Sequence, residues 1–250
     1  MDFKLDGAVV VVTGGARGVG LGISRVFAGA GARVIACGRT VPDALPDGVE
    51  FATCDVREVD QVAALFDGLE RVDVVVNNAG GSPFADAATA SARFSDKIMQ
   101  LNLLAPLAVA QAANAVMQRQ AGGGSIVMIS SVSGHRPSPG TAAYGAAKAG
   151  LDNLVGSLAV EWAPKVRVNS VVSGMVRTEQ AHLHYGDEAG VAAVGRTVPL
   201  GRLAEPEEIG QCVAFLASPL ASYVSGATLL AHGGGERPAF LDAATVGDEK

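Results

Sequence analysis

No stretch of this sequence is apolar for long enough to span a bilayer, which takes about 18–20 residues. A membrane-embedded class is therefore set aside. Positive charge is also in short supply. Nineteen lysines and arginines face 25 aspartates and glutamates, for a net charge of -6. That balance argues against nucleic-acid binding, which relies on neutralising phosphates. Cysteine is scarce: Cys37, Cys54 and Cys212 are an odd number with apolar neighbours and no metal-ligand spacing. They read as buried thiols of a reducing compartment, and no metal site is expected. The opening Met1-Asp2-Phe3-Lys4-Leu5-Asp6 lacks the charged-then-apolar layout of a secretory signal. A cytoplasmic protein is the expectation. No repeats, linkers or charge runs divide the chain, so residues 1–250 are expected to form one domain, with 236–250 as a C-terminal tail.

What is present is a large apolar content, 49% against 18% charged, enough to bury a sizeable core. The most informative stretch is Thr13-Gly14-Gly15-Ala16-Arg17-Gly18-Val19-Gly20. Before it, Ala8 to Val12 is a β-branched run with the look of a buried strand. After it, Leu21, Ile23, Val26, Phe27 and Ala30 recur at helical spacing. Glycines at a strand-to-helix turn let a ligand approach the backbone, and the helix start favours an anion. A pyrophosphate is the candidate; an ordinary glycine turn is the alternative.

Further strands are expected at 34–37, 49–54, 72–76, 125–129, 166–172 and 227–230, alternating with helices. That alternation predicts an α/β fold: a parallel sheet wrapped on both faces by right-handed crossovers. After the second strand stands Gly38-Arg39, where an acidic residue would bind the ribose of NAD. A guanidinium pairs with a 2′-phosphate that a carboxylate would repel. Arg39, with Arg17, therefore favours NADP(H) over NAD(H); solvated surface charges are the alternative. Asp55, with Val56, ends the third strand. Its carboxylate could accept from an adenine amino group or cap a helix over 58–69. Asn77-Asn78-Ala79-Gly80 forms a polar, open lip at the end of the fourth strand, the side on which such sheets bind ligands.

Residues 92–119 read as one long helix, with Asn102 mid-way and Pro106 favouring a bend. A buried Asn102 needs partners, either a bent backbone or a positioned water. Ser131 ends the fifth strand. Tyr144 and Lys148 lie one turn apart on a helix over 142–162. A phenol is a poor acid or base at neutral pH, and a nearby ammonium lowers its pKa. A hydroxyl such as Ser131 can stabilise charge on a substrate oxygen. A packing contact is the usual reading of a Tyr–Lys pair in isolation.

Taken together, Thr13-Gly14-x-x-x-Gly18-x-Gly20, Asp55, Asn77-Asn78-Ala79-Gly80, Asn102, Ser131 and Tyr144-x-x-x-Lys148 make the chain resemble the short-chain dehydrogenases/reductases, notably 3-oxoacyl-carrier-protein reductases. The resemblance runs from Leu5 to about Gly235. It implies a Rossmann-type doubly wound sheet of about seven strands and a homotetramer or dimer, with the Asn102 and Tyr144 helices at a subunit contact. It implies that Tyr144 exchanges a proton with a ketone or secondary alcohol, possible substrates being 3-oxoacyl thioesters and alicyclic or steroid-type ketones. Lys148 would lower the phenol pKa and hold ribose hydroxyls, Ser131 would orient the substrate, and Asn102 would hold a water. Asn78, Ala79 and Gly80 would run beside the dinucleotide, and Val176 and Thr178 would meet the carboxamide. A non-catalytic dinucleotide sensor on the same fold is the alternative.

The sequence departs from the family at Ser173-Gly174, where Pro-Gly is usual. Without the fixed φ of proline, a looser turn is expected there. Residues 179–200 would cap the substrate pocket. His182 and His184, two apart without a third ligand, read as exposed loop histidines. Arg136, close behind Ser131, is a candidate to meet an anionic substrate group such as a carrier phosphate.

Overall fold

The computed structural model describes residues 2–244, so 245–250 of the expected tail lie outside the described residues. A seven-stranded, all-parallel sheet forms the centre. Its strands are β1 (Val9–Thr13), β2 (Arg33–Gly38), β3 (Val49–Thr53), β4 (Val74–Asn77), β5 (Gly124–Ser131), β6 (Val166–Ser173) and β7 (Thr228–Ala231). Their order across the sheet is β3-β2-β1-β4-β5-β6-β7. The order reverses between β1 and β4, and the crevice beyond their carboxyl ends is where such sheets take ligands.

Buried parallel strands read as continuous apolar runs, because both faces are covered. In β1, Val11 enters one core while Val10 and Val12 enter the other. The first core is closed by α2 (Val59–Asp67), α4 (Ala105–Met117) and α5 (Ala142–Trp162), through Phe66, Val109, Leu151 and Val155. The second is closed by α1 (Gly18–Gly29) and α8 (Pro206–Ala217), through Ile23, Phe27, Ile209 and Val213. Glu208 in the first turn of α8 accepts from the Glu205 N–H at 2.8 Å and pairs with Arg202 at 2.6 Å. Those two partners hold its carboxyl down to about 2. A guanidinium missed in the sequence, Arg167, donates to the carbonyls of Leu216 and Ala217, satisfying orphan acceptors at the end of α8.

The long helix expected over 92–119 is broken in two. α3 (Ala92–Met99) leads into a π turn, Gln100–Leu104, and only then into α4. The Ala105 N–H reaches back five residues to the Gln100 carbonyl. Pro106 has no N–H to offer the Asn102 carbonyl four residues before it, so the regular ladder fails there. The strand β6 runs through Ser173, which pairs with Ser131 on one side and Ala231 on the other. The looser turn expected there is therefore not found. Serine keeps a backbone N–H, and the ladder continues where a proline would interrupt it.

Beyond β6, α6 (His182–Tyr185) and α7 (Glu188–Thr197) form a small separate layer on Ala181, Val191 and Leu203. His182 and His184 sit on the single turn of α6, so side chains two apart diverge.

Candidate active site

The glycine turn begins with Thr13, whose buried hydroxyl is fully used. It accepts from the Asn78 and Ala79 N–H groups, both at 2.9 Å, and donates to the Val76 carbonyl at 3.3 Å. Asn78 answers by donating its side-chain amide to the Thr13 carbonyl at 2.9 Å. The ends of β1 and β4 are thereby clamped side by side. Gly14 has φ +63°, a left-handed conformation that favours glycine. A Cβ on Gly20 would overlap the Gly14 carbonyl oxygen and the Asn78 amide. Gly18, Val19 and Gly20 open α1, whose start carries no acidic side chain of its own first turn. One carboxylate reaches it from elsewhere: Glu179 accepts from the Gly18 N–H at 3.1 Å.

A cavity of about 510 Å³ extends from this turn. Arg17, Arg39, Asp55, Val56 and Arg57 are among the residues that wall it. Arg17 and Arg39 are exposed. Asp55 does not cap α2, whose N-cap is Glu58. Instead its carboxylate accepts from the Arg57 Nε at 2.9 Å and from the Arg57 N–H at 3.1 Å. Arg57 holds the Asp55 carboxyl below the usual range. Helix α2 begins at Val59, one residue later than the 58–69 expected, and ends at Asp67.

The other end holds Ser131, Tyr144 and Lys148, with Asn78, Ala79, Gly80, Val176 and Thr178 between. Lys148 is buried, and its Nζ donates to the Ile129 carbonyl at 2.7 Å. It sits 5.6 Å from the centre of the Tyr144 ring. Burial pulls the ammonium down to about 8, with Asp152 opposing. The expectation that Lys148 draws the phenol toward neutrality is not met in this protein alone. Burial pushes the Tyr144 phenol above its ordinary value, the Ser131 hydroxyl opposes this, and Tyr185 adds to it. The reason is that a low-dielectric site penalises both charged forms.

Asn102 is completely buried at the π turn. Its amide donates to Gly81 O at 3.0 Å and to Ile98 O at 2.9 Å, and its oxygen accepts from Gly81 N at 2.8 Å. It thus holds both backbone groups of the loop that follows β4. Asn102→Ala should cost about 1–3 kcal/mol in denaturant unfolding, since it removes three hydrogen bonds made by a buried amide.

Arg136 pairs with Glu236 at 2.6 Å, so its charge is compensated inside the protein. Sequence reading had no means of finding this pair, which joins residues a hundred positions apart. Tyr185, which lies in the field of Arg136 and Glu236, was counted only as part of the capping segment. Among the described residues no cluster of three His, Cys, Asp or Glu could hold a metal.

A family model described as enoyl-(acyl carrier protein) reductase matches residues 14–236. The chain is 38% identical over 242 residues to an uncharacterized short-chain type dehydrogenase/reductase of Sinorhizobium fredii, covering 91% of this chain and 43% of that one. It is 34% identical to D-threitol dehydrogenase of Mycolicibacterium smegmatis, over 93% of this chain and 94% of the other. Among solved structures, the ligand-free aldohexose dehydrogenase of Thermoplasma acidophilum superposes with a TM-score of 0.88 at 30% identity. That match covers 94% of this chain and 96% of the other.

Proposed function

As this chain belongs to the short-chain dehydrogenase/reductase family, we propose that it is an NADP(H)-dependent oxidoreductase interconverting a ketone and a secondary alcohol. The observation that carries the reading is one cavity lined at one end by the glycine turn and at the other by Ser131, Tyr144 and Lys148.

The residues fit a dinucleotide: Gly14, Gly18 and Gly20 line the cavity at the start of α1, and a Cβ on Gly20 would displace the Gly14 carbonyl that shapes the turn. Gly14 to Gly20 would hold that group, with Arg17 and Arg39 toward a 2′-phosphate. Asp55 and Val56 would flank the adenine, Asn78 to Gly80 the ribose, and Val176 and Thr178 the carboxamide. When bound, the nicotinamide supplies hydride chemistry that no side chain offers. Ser131 orients the substrate oxygen by a hydrogen bond. Tyr144 gives that oxygen a proton during reduction and takes it back during oxidation. Lys148 supplies positive charge beneath the phenol and holds ribose hydroxyls. Asn102 holds the loop at Gly81 in place, so that Gly80 stays beside Lys148.

Arg136 is already engaged by Glu236, which favours a neutral substrate over a phosphate-bearing thioester. The polyol and sugar chemistry named for two relatives makes neutral polyols and sugars the first compounds to try. Assembly as a homotetramer is part of the proposal, supported by exposed Leu104 and Val160 on the π turn and α5. A screen of neutral carbonyls and alcohols with both cofactors, read by reduced-nicotinamide absorbance, tests the reading; no turnover with any of them refutes it. Within that screen, Arg39→Asp should raise the KM for NADP(H) by about tenfold or more, the loss of a charge-assisted contact. An unchanged KM removes Arg39 from the cofactor site.

A further inference from the structure

Behind the catalytic cavity lies a polar cluster built on Asp152, one turn beyond Lys148 on α5. Its side chain is only 11% exposed, yet it is a carboxylate. Ser130 Oγ donates to its Oδ2 at 2.6 Å, and Ser170 Oγ donates to its Oδ1 at 2.8 Å. His135 Nε2 stands 2.9 Å from Oδ2. These partners come from β5, β6 and the loop after β5. A buried carboxylate is retained at a cost unless it is paired or hydrogen-bonded, and here every partner sits on an element that shapes the site. Ser130 lies between Ile129, whose carbonyl receives the Lys148 ammonium, and Ser131. His135 closes the loop that begins at Ser131, and its own side chain is 42% exposed.

We propose that Asp152 is a positioning residue of this site, keeping the Lys148 ammonium charged on the Ile129 carbonyl and pinning the Ser131 loop through Ser130 and His135. The inference rests on the catalytic reading of Ser131, Tyr144 and Lys148. The groups facing Lys148 can be named element by element. On α5 they are Tyr144, whose ring centre is 5.6 Å away, and Asp152. β5 offers the Ile129 carbonyl and the Ser130 hydroxyl. Asn102, at the π turn, approaches across Gly80. The titratable ones are Tyr144 and Asp152, with His135 reaching Asp152 from the loop. Asp152 is the carboxylate among them, and its charge opposes the loss of the Lys148 proton. Removing its charge therefore takes away a charge interaction that supports the buried ammonium against desolvation and leaves the Ile129 carbonyl as its hydrogen-bond partner.

The test uses the five lysines of the chain, few enough to resolve by ¹³C NMR of labelled side chains. Lys148 is identified by the signal that Lys148→Met removes. In the parent protein that signal should titrate well below the surface lysines. In Asp152→Asn, which keeps the shape of the side chain, its midpoint should fall by about one further pH unit. His135→Gln, which keeps a donor against Asp152, should titrate like the parent. An Asp152→Asn midpoint equal to the parent's overturns the proposal. So does a His135→Gln midpoint shifted as far as that of Asp152→Asn, since the effect would then come from the loop and not the carboxylate. This measurement needs no turnover. A shifted midpoint in a protein that turns over no carbonyl would refute the catalytic reading and leave the electrostatic role of Asp152 standing.

Discussion

Tyr144→Phe will bind dinucleotide as the parent protein does and turn it over about a hundred to ten thousand times more slowly, the range that proton transfer by a placed side chain supplies. The substitution removes one oxygen and keeps the ring, so the packing of α5 against the site is preserved. The parent's phenol lies above its ordinary pKa because it is partly buried, and so it is protonated at neutral pH. A protonated phenol is the form that reduces a carbonyl. Alcohol oxidation needs the phenolate, whose fraction grows as pH rises. Oxidation by the parent should therefore climb toward alkaline pH, and the residual rate of Tyr144→Phe should lack that climb. Fluorescence titration of reduced cofactor checks binding, and stopped-flow or steady-state absorbance checks rate. Near-normal turnover in Tyr144→Phe would remove Tyr144 from the catalytic step.

Gly20→Ala should weaken cofactor binding by roughly ten- to a hundredfold, the worth of one or two displaced charge-assisted hydrogen bonds. It should also cost about 1–3 kcal/mol of stability, as overpacking does. The new methyl group would meet a backbone carbonyl, that of Gly14, and not the pliable end of a side chain. The turn must open, and with it the Thr13–Asn78 clamp. Gly29→Ala, in the same helix, is the control. Nothing lies within 4 Å of its added Cβ, so that change should be neutral or stabilise by up to about 1 kcal/mol. Isothermal titration with reduced cofactor and thermal melting of both variants separate the two outcomes. Equal affinities would show that the glycine turn is only a turn.

The strands were legible because burial on both faces writes itself as Val-Val-Val-Val and Val-Ile-Ala-Cys. Helix α5 was legible to the residue, since its apolar periodicity runs over 142–162. The approximate places of Ser131, Tyr144 and Lys148 could be read because one strand end and one helix turn fix them. What could not be read is whatever depends on contacts between distant segments. The Arg136–Glu236 pair and the Ser130–Asp152–Ser170 cluster are of this kind. Asp152 did leave a faint trace: it repeats the Tyr144–Lys148 interval on the same face of the helix. The sign of the phenol shift was missed for a different reason. Spacing shows that an ammonium is near, but not that both groups are withdrawn from water.

The wide turn at Gln100–Leu104 has a consequence for how this chain tolerates change in length. It holds one residue more than an α-helical turn would, and each helical residue carries a rotation of about 100°. Deleting a single residue there would tighten the turn, with Pro106 still unable to donate, and swing the preceding segment a quarter-turn or more about its axis. Asn102 would then point away from Gly81, and a locally more regular helix would belong to a less ordered protein.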